Sequence, residues 1–205
     1  TGGLQALLQK QPDLPVYANG DLFQPRFSNK KGEYQSIGGV LDQKSLKTQP
    51  RFLLSNEAVE VFANVWTTGE ILQKEEETGS SPHHFIHAEG EEWLPDPYRD
   101  DLSLVYQGNS GLTLICGCCH AGLLNTLAHV EKLFRRRVVN VVGGIHLMPA
   151  SNVKIDHVIN VLRGKYPDGT YHLNHCTGSN AGNALHKAFP GRVDYLKAGV
   201  SVVFD

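Results

Sequence analysis

The chain has 205 residues, of which 40% are hydrophobic, and it carries a formal net charge of −2. This length suits one domain with a sizeable core, so we expect a single domain over residues 1–205. The charge lacks the basic excess typical of nucleic-acid-binding proteins, and the one basic cluster, Arg135–Arg137, fits the C-terminus of a helix, where cations meet the negative end of the dipole. No apolar run approaches the ~20 residues of a membrane span. The net charge and the short apolar runs therefore predict a chain with neither a nucleic-acid nor a membrane partner.

The four cysteines are too few for a disulfide scaffold in a chain of this size. A reducing compartment is the better explanation, and we expect a cytoplasmic location.

The predicted elements begin with a short helix over residues 2–10, where Leu4, Leu7 and Leu8 have helical spacing. The stretch PDLPVYANG predicts a turn and a short strand, and RFLLS and AVEVFANVW predict further strands. Residues 70–100 are polar, aperiodic and interrupted by Pro and Gly, which indicates a long loop or insertion. Loops of this length are often functional lids or binding loops, with disorder as the alternative.

The second half of the chain alternates apolar runs with helix-like stretches three times. LTLICG leads to AGLLNTLAHVEKLF, VVNVVGG leads to ASNVKIDHVINVLRG, and GTYHLNH leads to GSNAGNALHKAF. Two short strands are predicted in the final VDYLKAGVSVVFD. This alternation predicts an α/β fold in which helices cover a sheet.

Each of these three units places a histidine just beyond its predicted strand: His120, His146 and His175. Because functional sites of α/β sheets collect at the carboxyl ends of strands, these histidines are expected to converge. Converging imidazoles favour a metal site with three protein ligands and one open position. Taken singly, a histidine in such a position is more often structural than a ligand, and it is the shared placement that makes the metal site an equal alternative.

The turn HCTGSNAG runs from a strand into a helix N-terminus, where unpaired N–H groups favour an anion. Thr177, Ser179 and Asn180 are predicted to cap this helix or, alternatively, to bind a substrate phosphate or carboxylate, and Gly178 is counted with them as a candidate substrate contact.

The cysteines do not match a structural zinc pattern, and the C-x-x-C of Cys116 and Cys119 lacks the context of a redox motif. Cys116 completes an apolar strand and is predicted to be a core residue. Cys118, Cys119 and Cys176 are predicted to line or support a pocket near the histidines, and we count Cys119 and Cys176 among the candidate substrate contacts.

Five blocks of the chain, in order, resemble the metallo-β-lactamase superfamily, in the branch similar to ribofuranosylaminobenzene 5′-phosphate synthase. They are TGGLQALL, TTGEI, DDLSLVYQGNSGLTLICGCCHAGLLNTL, VVGGIHL and HCTG. The resemblance implies an αββα sandwich with a binuclear metal site that activates water. It also implies that His120 and His175 are metal ligands, whereas His146 is a candidate ligand or substrate contact.

The superfamily's His-x-His-x-Asp-His motif, which in this branch comes immediately before TGGL, is not in the sequence. The sandwich is therefore expected to be N-terminally incomplete, without the first strands. Three explanations stay open: an upstream segment of the natural protein, a second chain that supplies the motif, or a non-enzymatic remnant.

These features together predict a metal-dependent hydrolase or group transferase acting on a small anionic, phosphorylated substrate. The implied cofactors are two divalent ions, zinc first, with manganese or iron as alternatives. Two other functions remain open: a non-catalytic binding module of the same fold, and an iron-dependent oxidoreductase.

Overall fold

The structure is a computed structural model and describes residues 2–38, 51–87 and 92–205. Within these ranges the α-helices are α1 Gly2–Lys10, α2 Leu123–Phe134, α3 Asn152–Lys165 and α4 Ser179–Ala188. Short 3-10 helices cover Gly20–Phe23 and His175–Thr177. The strands are β1 Val16–Ala18, β2 Arg26–Asn29, β3 Tyr34–Ser36, β4 Phe52–Leu54, β5 Glu60–Phe62, β6 Val65–Thr67, β7 His84–His87, β8 Trp93–Pro95, β9 Ser103–Gln107, β10 Leu112–Cys116, β11 Val138–Gly143, β12 Thr170–Leu173 and β13 Val193–Tyr195. None of the helices in the described ranges has the length and hydropathy needed to cross a bilayer.

The chain divides into two compact units. The first unit combines residues 1–56 with 80–100, and the second combines residues 57–79 with 101–205. The expectation of one domain over residues 1–205 stays a prediction.

The first unit contains two small sheets. A four-stranded antiparallel sheet has the order β3-β2-β7-β8, and β1 pairs with β4 in parallel. Strands β7 and β8 lie inside the 70–100 segment that the sequence predicts to be a loop, and residues 88–91 of that segment are outside the described residues. Both strands are too short for their alternation to be detected among the surrounding Pro and Gly residues.

The second unit is built on a seven-stranded sheet with the order β13-β12-β11-β10-β9-β6-β5. Strands β10 to β13 are parallel, whereas β9, β6 and β5 add antiparallel neighbours. The three predicted strand-helix units correspond to β10-α2, β11-α3 and β12-α4, so the predicted α/β class is confirmed. Of the two terminal strands predicted after residue 192, the structure forms only β13, and Val203 is 92% exposed.

The core of the second unit lies between this sheet and α2, α3 and α4. Leu112, Leu114 and Cys116 occupy alternate positions of β10 and therefore face the same side, where the helices pack. Completely or almost completely buried residues from the surrounding elements fill the space between them: Leu127, Val130, Val141, Ile155, Leu162, Leu173 and Leu185. Cys116 is 7% exposed within this cluster, which confirms its predicted core role.

Sequence signals set two helix boundaries in the second unit, the start of α3 and the end of α2. Ser151 accepts a hydrogen bond from the Lys154 N–H and thereby caps the start of α3. Arg135 takes a left-handed conformation directly after α2, so the basic triplet follows a helix end, as predicted.

Candidate metal centre

Three potential ligands meet at the carboxyl ends of two neighbouring parallel strands. Cys118 and His120 follow β10, and His146 follows β11. Their donor atoms all lie within 4.8 Å of one another, and the two imidazole centroids are 4.1 Å apart. The side chains are partly buried. The structure thus brings together two of the three strand-end histidines and adds a thiol to them.

Two consecutive glycines allow the ends of β10 and β11 to approach closely. A Cβ on Gly143, which has a φ of +113°, would collide with the Cys116 carbonyl. A Cβ on Gly144 would lie 2.5 Å from the Cys176 Sγ and 2.7 Å from the Gly117 oxygen. His146 then adopts a φ of 42°, which is a left-handed conformation. Non-glycine residues adopt it rarely, and the cases cluster at functional sites.

Hydrogen bonds fix the ring of His120. Its Nδ1 lies 3.1 Å from the Gly79 carbonyl oxygen, which can only accept, so Nδ1 carries the hydrogen and Nε2 is the ring nitrogen with the lone pair. Metal-binding histidines commonly donate their second ring N–H to a carbonyl or carboxylate in this way. The Gly79 N–H also donates to the His120 carbonyl at 2.9 Å. On the other side, the Ala121 N–H donates to the Asp101 carboxylate at 2.8 Å.

The four thiols have different surroundings. Cys119 is fully buried, and its Sγ lies 3.3 Å from the Thr126 hydroxyl. A hydrogen bond with Cys116, together with burial, raises the pKa of Cys119 well above its usual value. Burial raises the pKa of Cys176 to about 11, and the Cys176 Sγ donates to the Cys118 carbonyl at 3.5 Å. Cys119 is therefore a core residue next to the site, and Cys176 is bonded to the loop that follows β10. Cys118 is the thiol grouped with the histidines.

The third strand-end histidine is placed differently. His175 is exposed, opens the short 3-10 helix His175–Thr177 with a φ of 43°, and lies outside the group of donors. Its role as a ligand stays a prediction.

The residues predicted to bind an anion surround the start of α4. Gly178, with a φ of 77°, occupies the N-cap, so the alternative that Thr177, Ser179 or Asn180 caps α4 through its side chain is wrong. Thr177 is fully buried, whereas Ser179 and Asn180 are exposed in the first turn. The Asn180 side chain donates to that of Asn152 at 3.0 Å.

The donor set fits a zinc ion. Zinc binds thiolate and imidazole at about 2.0–2.3 Å, and the three donor atoms, all within 4.8 Å of one another, form a group that could hold one ion. Within residues 2–38, 51–87 and 92–205, this is the one group of three or more His, Cys, Asp or Glu side chains with such spacing. The sequence predicts Cys118 only as a pocket residue near the histidines, because spacing does not separate it from Cys119.

No protein-family model matches the chain. A solved metal-dependent hydrolase of the β-lactamase superfamily superposes with a TM-score of 0.72 at 22% identity, over 93% of this chain and 72% of that one. The chain therefore has the metallo-β-lactamase fold, and the resemblance that its sequence blocks indicate is confirmed.

Two archaeal proteins are similar in sequence. The first is the 7,8-dihydropterin-6-methyl-4-(β-D-ribofuranosyl)-aminobenzene-5′-phosphate synthase of Methanocaldococcus jannaschii, which is 26% identical over 211 residues, covering 100% of this chain and 71% of the relative. The second, an uncharacterized protein of the same organism, is 30% identical over 88 residues, covering 43% of this chain and 31% of the relative.

Proposed function

We propose that this chain is a metal-dependent hydrolase or group transferase that acts on a small anionic, phosphorylated substrate. The observation that carries the proposal is the grouping of Cys118, His120 and His146, with His120 held in the tautomer that leaves Nε2 for a metal. The solved metal-dependent hydrolase supports the reaction class, and the name of the methanogen synthase supports a phosphorylated substrate.

In this proposal Cys118, His120 and His146 hold the first ion, and zinc is its identity because manganese prefers oxygen ligands over a thiolate. When bound, the ion lowers the pKa of water and polarises a phosphoryl or carbonyl oxygen. His175 and a second ion belong to the proposal through the sequence resemblance. Iron at the same residues is the alternative metal.

The start of α4 is the proposed binding place for the substrate anion. Ser179 and Asn180 are exposed in its first turn, and the N–H groups of a helix start favour negative charge. Gly178 and the buried Thr177 shape the preceding turn, and the Cys176 Sγ joins that turn to the loop after β10 by donating to the Cys118 carbonyl.

The proposal is tested by metal analysis and turnover of the purified protein. We expect bound zinc, or iron as the alternative metal, together with hydrolysis of phosphomonoesters or phosphodiesters that stops on chelation. His120→Ala or His175→Ala lowers the metal content and abolishes turnover, whereas His83→Ala, an exposed histidine of the first unit, leaves both unchanged.

Three results would argue against the proposal. Absence of metal even after reconstitution supports the non-catalytic binding module instead. Bound iron with redox activity supports the oxidoreductase. Unchanged metal content in His120→Ala or His175→Ala removes the ligand role of the replaced histidine.

A further inference from the structure

Residues 68–79, here called the strap, have no helix or strand but are bonded at intervals to α2 and α3. At its start, the ring Nε2 of His129 donates to the Thr68 carbonyl at 2.9 Å. Further along, the Lys132 ammonium lies 3.2 Å from the Gln73 side-chain oxygen. The strap is thus an extended segment whose position is set by side chains of the helices.

A buried attachment is made by Asn125 of α2, which is only 3% exposed. Its side-chain oxygen accepts from the Glu76 N–H, and its side-chain nitrogen donates to the Glu76 carbonyl, both at 2.8 Å. The same nitrogen donates to the Ala121 carbonyl at 2.8 Å. One buried amide therefore satisfies both backbone groups of a strap residue, as a neighbouring strand would.

Lys154 of α3 attaches the next two strap residues. Its ammonium lies 2.5 Å from the Thr78 carbonyl oxygen and 3.0 Å from the Glu77 carboxylate. The Lys154 side chain is 11% exposed, so this attachment is largely shielded from solvent, although the Glu77 carboxylate itself is exposed.

The strap ends at Gly79, which contacts both histidines of the metal centre. The Gly79 carbonyl receives the His120 Nδ1 hydrogen, and the Gly79 N–H donates to the His120 carbonyl. A Cβ on Gly79 would lie 3.0 Å from the His146 Cβ, which shows how closely the strap passes the second histidine. Attachments at residues 76–78 therefore fix the position of the group that orients His120.

We propose that Asn125 and Lys154 are positioning residues for the metal centre and act through the strap. They hold the Gly79 carbonyl against His120 Nδ1, which keeps Nε2 of that ring unprotonated and directed for coordination. The inference rests on the proposed ligand role of His120, but the effect on the ring itself needs no metal.

The experiment compares Lys154→Met and Asn125→Ala with Lys132→Met. Lys154→Met keeps an unbranched apolar stem but removes both hydrogen bonds to the strap, and the matched Lys132→Met removes a contact that reaches only a strap side chain. We expect the first two variants to weaken zinc binding about 10-fold or more, as loss of an outer partner does, and Lys132→Met to change it less than about 2-fold. Lys154→Arg, which keeps the charge and the donors, restores most of the affinity.

A second readout uses the metal-free protein. Nitrogen-15 NMR of the imidazoles reports the tautomer, and we expect His120 to be Nδ1-protonated in the parent chain and to lose that preference in Lys154→Met and Asn125→Ala. If the parent chain binds no zinc, the proposed function fails while this readout still decides the inference.

Three outcomes would overturn the inference. The first is a folded Lys154→Met protein with the parental zinc affinity and the parental His120 tautomer. The second is a loss of affinity in Lys132→Met equal to that in Lys154→Met, because the effect would then not depend on the Gly79 end. The third is a Lys154→Arg protein that stays as weak as Lys154→Met. If Asn125→Ala does not fold, the Lys154 variants decide alone.

Discussion

At the scale of single residues, the metal centre depends on which side chain each loop turns toward the strand ends. Cys118 and Cys119 are adjacent, yet only Cys118 joins His120 and His146, because Cys119 has a φ of 58° and its thiol packs against Thr126 in the core. The two neighbouring thiols thus differ in role, since Cys119 is buried in the core whereas Cys118 is accessible as a metal ligand. The thiol therefore distinguishes this centre from one made of imidazoles alone.

Replacing Cys118 by serine tests that thiol. We expect Cys118→Ser to lower zinc affinity by more than about 10-fold, because a hydroxyl is a far weaker zinc ligand than a thiolate. Loss of a residue that only hydrogen-bonds to a metal ligand already costs about 10-fold. His83→Ala is the control, since His83 is an exposed histidine of the first unit outside the donor group, and it is expected to leave the affinity within about 3-fold. The Co²⁺-loaded parent chain should also show a thiolate charge-transfer band that Cys118→Ser lacks. Equal affinities in the two variants would contradict a role for the Cys118 sulfur.

At the scale of elements, the centre exists because β10 and β11 end side by side. Cys116 pairs with Gly143 in the parallel ladder, and the backbone leaves β11 there with a φ of +113°. Only glycine accepts that conformation without strain, and only glycine leaves room for the Cys116 carbonyl. This one position sets the distance between the loops that carry His120 and His146.

Gly143→Ala is expected to destabilise the fold by about 3 kcal/mol or more, from the positive φ and the collision with Cys116. Gly164 offers the matched control, because it lies inside α3 with nothing within 4 Å of an added Cβ. Gly164→Ala is expected to stabilise by up to about 1 kcal/mol, through helix propensity. Urea denaturation monitored by circular dichroism measures both changes, and a Gly143→Ala protein as stable as the parent would refute the close approach of the two strands.

At the scale of the whole molecule, the described donors, the strap and the predicted anion-binding turn all belong to the second unit. That unit holds the larger buried cluster, whereas the first unit has a small core around Leu8, Phe23 and Phe52. Among the described residues, the unit with the larger buried cluster thus carries the candidate chemistry. The strap connects the metal centre to α2 and α3, which pack in the core of that unit.

The fold class and the meeting of two histidines could be predicted from the sequence, because both depend on local patterns of residues. Alternating strands and helices gave the α/β class, and equivalent strand-end positions gave the meeting of His120 and His146. The choice of Cys118 over Cys119 depends on a backbone turn that leaves no periodic signal. Asn125 and Lys154 look like ordinary helix residues, because their partners in the strap are 49 and 76 positions away.

The most direct test of the metal centre is X-ray absorption at the zinc edge of the zinc-loaded protein. We expect one sulfur at about 2.3 Å and imidazole nitrogens at about 2.0 Å around the ion, with the sulfur contribution lost in Cys118→Ser. A shell of nitrogen and oxygen alone in the parent chain, or no bound zinc at all, would contradict it.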